Sequence, residues 1–464
     1  MSSRPFADQV ASRLRAEGYQ AYLVGGCVRD ILLGREPADY DIATDATPDR
    51  VEEMFPNSLT VGARFGVVVV TAESIGDGDL REAEVKNLQV EVATFRSDLA
   101  YSDGRHPDAV VYARSAEEDV KRRDFTINGL LLNPENDEVL DYVGGRDDLK
   151  AGIIRAIGRP EQRFREDKLR MLRAVRFAAR FSYAIERETL CAIQKLAPEI
   201  LQVSPERQRD ELTKILTEGK ARHGFELLDE TSLLFPLLPE ISRMKGVQQP
   251  PQFHPEGDVW IHTRMMLEGL MRGTSQTLAW GVLLHDVGKP PTFAPPSGPN
   301  GRIRFDRHVE VGTRMAEDIA ARFRFSNADT EQIAALVANH LRFKDVPQMK
   351  PATLKRFARL DRFDEHLELH RLDCLSSHRN LEGYEFMRRF VAETPREQVH
   401  PKRLLTGDDL IQLGLRPGPC FKVILDSAED AQLEGSIISH EDALRWLEDY
   451  IKSPNVIKSI KSTA

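Results

Sequence analysis

Two hydrophobic periods alternate over the first 150 residues. Apolar positions at helical spacing run from Phe6 to Glu17 and stop at Gly18, AYLVGG reads as a short buried strand, and CVRDILLG returns to helical spacing until Gly34. DYDIAT is the next strand, after which Thr47 stands as an N-cap and Pro48 as the first helical residue of PDRVEEMF. Two further strands, TVGARFGVVVVTA and LQVEVATFR, flank the polar, glycine-containing loop IGDGDLREAEVKN. From about Glu161 the pattern is almost wholly helical, through RMLRAVRFAARF, ELTKILTE and beyond. The stretch PPTFAPPSGPNG, residues 290–301, reads as a loop inside this helical region, and ETPREQVHPKR as a linker to a tail. No internal repeat is present. The fold class expected is α+β: a mixed α/β head followed by helices.

Composition narrows the setting. A chain of 464 residues exceeds one hydrophobic core and calls for several domains. With 41% hydrophobic and 30% charged residues, and no run near the ~20 apolar residues needed to cross a bilayer, no membrane association is expected. The N-terminus, MSSRPFADQV, lacks the basic start and apolar stretch of an export signal, so a cytoplasmic location is expected. Cys27, Cys191, Cys374 and Cys420 form no CxxC pair and read as reduced thiols. The net charge of −9 excludes a protein basic all over, but arginines crowd between Lys121 and Arg180 while Asp77 to Glu84 and the helices after Asp361 are acidic. A polyanion is therefore expected to be held by one region only.

Candidate chemistry lies in both halves. Asp39 and Asp41, two apart in a strand, leave one face and can converge on an ion, with Glu91 of QVEVATF as a third oxygen donor. Such carboxylates suit Mg²⁺, which takes substrate phosphates as its remaining ligands. A DxD alone also fits surface aspartates in a turn. Ahead of it, Gly25 and Gly26 lie between strand and helix, where a backbone without Cβ can approach phosphate and Arg29 can bind a phosphate oxygen; a turn needed for packing explains the same glycines. Further on, Asp167, Arg170, Arg173 and Arg176 recur every three residues, with Arg180 continuing the row, which on a helix makes one slowly rotating stripe. A salt-bridged helix face explains this spacing too. Yet a carboxylate only accepts and a guanidinium only donates, so Asp167 with Arg170 also matches a base carrying an amino group beside an acceptor, as cytosine and adenine do. In the C-terminal half, His262, His285, Asp286 and Asp373 supply imidazole and carboxylate donors for Mn, Ni, Fe or Zn. His308 and His340 add either a second metal or a phosphate contact.

YLVGGCVRDILLGREPADYDIAT, followed in order by VEVATFR, RRDFTIN, DYVGGRDDL and EDKLRMLRAVRFAARF, resembles the class II CCA-adding tRNA nucleotidyltransferase and bacterial poly(A) polymerase family. The resemblance implies a polymerase-beta-like nucleotidyltransferase head over 1–150, a helical neck over 151–240 and a helical tail over 396–464, which tRNA contact and packing alone explain equally well. It assigns metal binding and catalysis to Asp39, Asp41 and Glu91, nucleotide contacts to Gly26, Arg29 and Arg123, and base reading to Asp167 and Arg170, with Arg173 and Arg176 near base and triphosphate. The implied substrates are ATP, CTP and the 3′ end of tRNA; A-only or poly(A) addition is the alternative. SDLAYSDGRHPDAVVYARS, residues 97–115, resembles the family's flexible loop used when the last A is added. HDVGKP with WIHTRMML resembles the HD phosphohydrolase family, implying a metal-dependent HD domain over 241–395. An HD hydrolase whose head merely binds RNA is the competing class.

Overall fold

The computed structural model describes residues 3–60, 66–72, 88–99, 109–113, 115–296 and 301–452. They form two compact units, the first comprising 1–243 with 270–274 and 322–324, the second 244–269, 275–321 and the remainder. The short returning segments are fastened into the first unit. Gly273 N–H donates to Thr217 O at 2.9 Å, Arg322 pairs with Glu240 at 2.8 Å, and Arg324 with Glu206 at 2.6 Å.

The first unit opens with helix α1 (Ser3–Ala16), whose Phe6, Val10 and Leu14, four residues apart, are all buried. Its sheet runs β3 (Leu59–Thr60), β4 (Val67–Thr71), β5 (Gln89–Thr94), β2 (Asp41–Thr44), β1 (Ala21–Val24), β8 (Leu130–Leu132) and β9 (Val139–Asp141). Only β2 and β5 pair in parallel; the other pairs are antiparallel. Helix α2 (Gly26–Leu32) follows β1 directly, and α3 (Pro48–Met54) follows β2. Helix α4 (Ala116–Lys121) begins at Ser115, whose side chain accepts from Glu117 N–H. Beyond the sheet, α6 (Leu169–Phe181) packs against both α5 (Pro160–Glu166) and α7 (Pro205–Thr217), and Phe164, Leu172, Val175, Leu212 and Ile215 are buried. The expected helical region after Glu161 is present, and the mixed head precedes it.

The second unit is built on α8 (Val259–Glu268), α9 (Gln276–Leu284), α10 (His308–Arg322), α11 (Asn327–Asn339) and α12 (Phe363–Ser376). Every residue of α9 from Thr277 on is buried, the mark of a central helix that is apolar all round. Farther along, α13 (Pro419–Leu433) and α14 (His440–Ile451) close on Leu410, Ile424 and Leu447.

Several local expectations change. Thr47 precedes α3 but makes no side-chain cap bond. ETPREQVHPKR is not a free linker, because Arg396–Val399 is a helical turn with Val399 buried. Part of 290–301 is structured: Phe293–Ala294 pairs with Arg304–Phe305. The ends of the 97–115 segment are strands, since β6 (Arg96–Leu99) pairs with β7 (Ala109–Tyr112), while 100–108 lies outside the described residues. So does the 75–87 loop, together with 61–65 of the expected TVGARFGVVVVTA strand.

Candidate active sites

The first site is a cavity of about 610 Å³ reached by Gly25, Gly26, Asp39, Asp41, Arg123, Asp167, Arg170, Arg173 and Arg176. Gly25 and Arg176, 151 positions apart in sequence, thus line one cavity. Asp41 opens β2, and parallel register sets it directly beside Glu91 on β5. Burial, and then the neighbouring Glu91 charge, push the Asp41 carboxyl up to about 6. That crowding of carboxylates is what a bound cation relieves, so the donor set fits a hard divalent ion. Asp39 is not in the strand as the DxD spacing suggested: it stands in the exposed lead-in two residues earlier, yet lines the same cavity. Glu91 adjoins through its register with Asp41.

Gly25 has φ 77°, a left-handed conformation that glycine adopts without Cβ strain, and a Cβ there would lie 3.4 Å from Arg123 Nη1. Arg123 is oriented by the buried Asp119, to which its Nε and Nη2 donate at 3.2 and 3.0 Å. Arg29 is buried, donates to Asp30 and, at 2.7 Å, to Asn128 Oδ1, and lies 4.6 Å over the Phe181 ring. Its placement leaves three of its N–H groups committed within the fold.

Asp167 is not on a helix, contrary to the continuous stripe read from the three-residue spacing. It sits between α5 and α6 at φ −142°, ψ 105°, and its Oδ1 accepts from Leu169 N–H at 3.1 Å. Arg170, Arg173, Arg176 and Arg180 do share α6. Arg170 is held by Glu166 at 3.0 Å and by the carbonyls of Arg163 and Arg122 at 3.1 and 3.0 Å. Arg173 pairs with Asp124 at 2.7 Å, and despite burial that pairing and the Asn128 amide hold the Asp124 carboxyl down to about 2. Arg176 pairs with buried Glu211 at 2.8 Å. Sequence reading missed Arg207, which donates to Asp167 Oδ2 at 3.2 Å and lines the cavity. It also missed Asp119, Asp124 and Glu211. The density of arginine was the one available signal that acidic partners must be close by.

The second site brings together His262 on α8, His285 and Asp286 after α9, and Asp373 on α12. His262 Nε2 lies 3.2 Å from Asp373 Oδ1, and His285 Nε2 lies 3.1 Å from Asp286 Oδ2. Donor atoms of His262, His285 and Asp286 all fall within 4.8 Å of one another. The four expected residues therefore meet. Burial would lower the His262 imidazole, but Asp373 and Glu256 outweigh it and push it up to about 9. Glu256 Oε1, 2.8 Å from both His262 Nδ1 and His254 Nδ1, was not anticipated. Asp286 is buried; its carboxyl is held well below the usual range by His285 and Lys289, whose Nζ is 2.7 Å away. The cluster opens into a cavity of about 1010 Å³ whose walls include Lys289, Arg304 and Lys344.

Three family descriptions match the chain in order: the poly(A) polymerase head domain over 21–155, a probable RNA- and SrmB-binding site of polymerase A over 182–245, and the HD domain over 258–366. A CCA-adding enzyme of Leuconostoc mesenteroides is 42% identical over 221 residues, 48% of this chain and 52% of the relative, so the chain spans about half the length of such curated relatives. A CCA-adding enzyme of Levilactobacillus brevis is 31% identical over 441 residues, covering 94% of this chain and 96% of the relative. The chain belongs to the CCA-adding enzyme family. A solved structure from the family, the Bacillus stearothermophilus CCA-adding enzyme in complex with CTP, superposes with a TM-score of 0.72 at 26% identity, over 97% of this chain and 98% of that one. The family head and the HD domain both imply divalent metal ions. Among the described residues no helix is long and apolar enough to cross a membrane.

Proposed function

We propose that the chain is a template-independent, CCA-adding tRNA nucleotidyltransferase, transferring CMP and AMP from CTP and ATP to the 3′ end of tRNA with release of pyrophosphate, in the cytoplasm. The observation that carries this reading is the shared cavity, which Asp39 and Asp41 line together with Asp167, Arg170, Arg173 and Arg176. Asp39, Asp41 and Glu91 hold Mg²⁺, which when bound activates the attacking hydroxyl and neutralises the leaving pyrophosphate. Arg29 and Arg123 orient the triphosphate beside Gly25 and Gly26, while Arg173 and Arg176 draw it towards α6. Asp167 and Arg170 read the base edge. In this division the head is 1–150, the neck 151–240, the HD body 241–395 and the tail, contacting tRNA, 396–464.

Transcripts of tRNA ending at the discriminator base, after one C and after two C, each offered single nucleotides, test the reading. The expected products are C, C and A in that order, then arrest. Extension of the CC-ending transcript alone marks an A-adding enzyme, and long A tracts on any RNA mark a poly(A) polymerase; either result removes the CCA reading.

Arg207 shares the base-reading task by holding the Asp167 carboxylate in place. Arg207→Gln is expected to lower the preference for CTP over UTP about tenfold, the scale of one hydrogen bond to a charged group at about 1.5 kcal/mol. Arg207→Lys should recover part of it. Unchanged preference in both variants would show that Arg207 only braces the helix.

The HD body hydrolyses phosphoesters with a transition metal, Mn, Ni, Fe or Zn, held by His262, His285, Asp286 and Asp373. The basic walls of its cavity suit a phosphate-bearing substrate. Asp286→Ala is expected to abolish metal-dependent release of phosphate from 2′,3′-cyclic and terminal phosphoesters while nucleotide addition continues at the wild-type rate. Loss of both activities together would contradict two independent sites.

A further inference from the structure

Arg29 stands on α2 and orients the triphosphate in the reading above, whereas Arg173 stands on α6, three residues after the base-reading Arg170. The two arginines meet through a single amide. Arg29 Nη1 donates to Asn128 Oδ1 at 2.7 Å, Asn128 Nδ2 donates to Asp124 Oδ1 at 3.1 Å, and Asp124 Oδ2 accepts from Arg173 Nε at 2.9 Å. The Asp124 carboxylate also feels the Arg170 charge. All four members of the chain line the first cavity.

The order of donors and acceptors leaves little choice at position 128. A guanidinium only donates and a carboxylate only accepts, so the group between them must accept on one side and donate on the other. An amide does both, and only one of its two orientations fits. Asn128 and Asp124 are 7% and 8% exposed and Arg29 is 4% exposed, so a bond lost here is not made good by bulk water. Arg29 and Arg173 also flank the Phe177 ring, at 5.5 and 5.4 Å from its centroid. That ring spaces the two cations, but only the amide ties them with directional bonds.

The amide is itself a fixed point of the head. Asn128 ends the helical turn Thr126–Asn128, whose first residue is pinned twice: Thr126 N–H donates to Arg155 O at 3.0 Å and its hydroxyl donates to Asp148 Oδ2 at 2.7 Å. Gly145 packs against the same turn, where a Cβ would lie 2.2 Å from Thr126 O.

We propose that Asn128 is a positioning residue that links base reading on α6 to triphosphate alignment by Arg29, so that a matched base raises the rate of transfer and not only the affinity. The inference rests on the CCA-adding reading. A base seated on Asp167 and Arg170 steadies α6, the Arg173–Asp124 pair passes that order to the amide, and the amide holds Arg29 in line with the phosphates. A mismatched base leaves the α6 end unsteadied, and the amide then has nothing to pass on.

The test is single-turnover addition by the full-length protein to a discriminator-ended tRNA transcript, with CTP and with UTP each at saturating concentration. Asn128→Ala and Asn128→Asp are expected to lower the CTP rate about tenfold, the scale of one hydrogen bond to a charged group, and to leave the slow UTP rate unchanged. Asn128→Asp keeps the shape of the side chain and the acceptor for Arg29 and removes the donor to Asp124, so it remains informative if the alanine variant does not fold. A merely structural role would lower both rates in proportion. Equal losses on CTP and UTP, or no loss on CTP, would overturn the link and leave Asn128 as a brace of the head. Failure of the wild type to add either nucleotide would instead remove the CCA-adding reading.

Discussion

Asp41→Ala is expected to lower single-turnover nucleotide addition by more than about 100-fold, beyond the roughly 10–100-fold that loss of a metal's outer-shell partner costs. The reason lies in the register of two strands. Asp41 and Glu91 are paired across β2 and β5, and burial with their mutual charge already raises Asp41 to about 6. Removing Asp41 takes away the most desolvated oxygen donor of the three and leaves Glu91 beside an apolar methyl, so an ion there loses both charge compensation and geometry. Binding of tRNA should survive, since phosphate contacts elsewhere position the RNA without that ion. Filter binding and rapid-quench incorporation on one preparation separate the two effects. Wild-type incorporation by the variant would remove Asp41 from the metal site.

Asp167→Asn is expected to erode discrimination against UTP and GTP by about 5- to 150-fold, equivalent to the about 1–3 kcal/mol for one buried polar group left unpaired. The carboxylate only accepts, so the carbonyl of uracil or guanine meets it without a proton between them. An amide is nearly isosteric and changes that. Its oxygen can keep the Leu169 N–H bond that Asp167 Oδ1 accepts at 3.1 Å; the amide nitrogen then takes the place of Oδ2, gives up the Arg207 bond and offers the donor that uracil and guanine lack. Arg170 is anchored by Glu166 and two carbonyls and should stay in place, so the change falls on selectivity rather than on folding. Competition between CTP and UTP on a discriminator-ended transcript reads the outcome. If the variant retains the wild-type ratio, Asp167 does not read the base.

Sequence motifs disclosed the parts of both sites that local periodicity controls. β1, the glycine turn and α2 follow from AYLVGGCVRDILLG, and the alternation of QVEVATF sets Glu91 on a strand. The four HD-type residues were identified from their types and order, and they meet because α8, α9 and α12 pack together. Two errors share one cause. Asp39 was read as strand and Asp167 as helix, because a spacing of two or three residues extends a period one step past the point where the backbone leaves it. At Asp167 the departure is local chemistry: its side chain takes the N–H of Leu169, a competition with helix geometry typical of aspartate. The partners that orient the arginines were out of reach for a different reason. Arg207 is 40 residues from Asp167 and Asp124 is 49 from Arg173, so only the packing of separate elements brings them together.

The return of 270–274 and 322–324 to the first unit bears on how the protein is made. Glu240 and Glu206 depend on Arg322 and Arg324 for their ion pairs, and Thr217 O depends on the Gly273 N–H. Arg324 follows Arg243 by about 80 residues, which at about 5–20 residues per second is a delay of roughly 4–16 s on the ribosome. The first unit therefore gains these three contacts only after most of the intervening sequence has been synthesised.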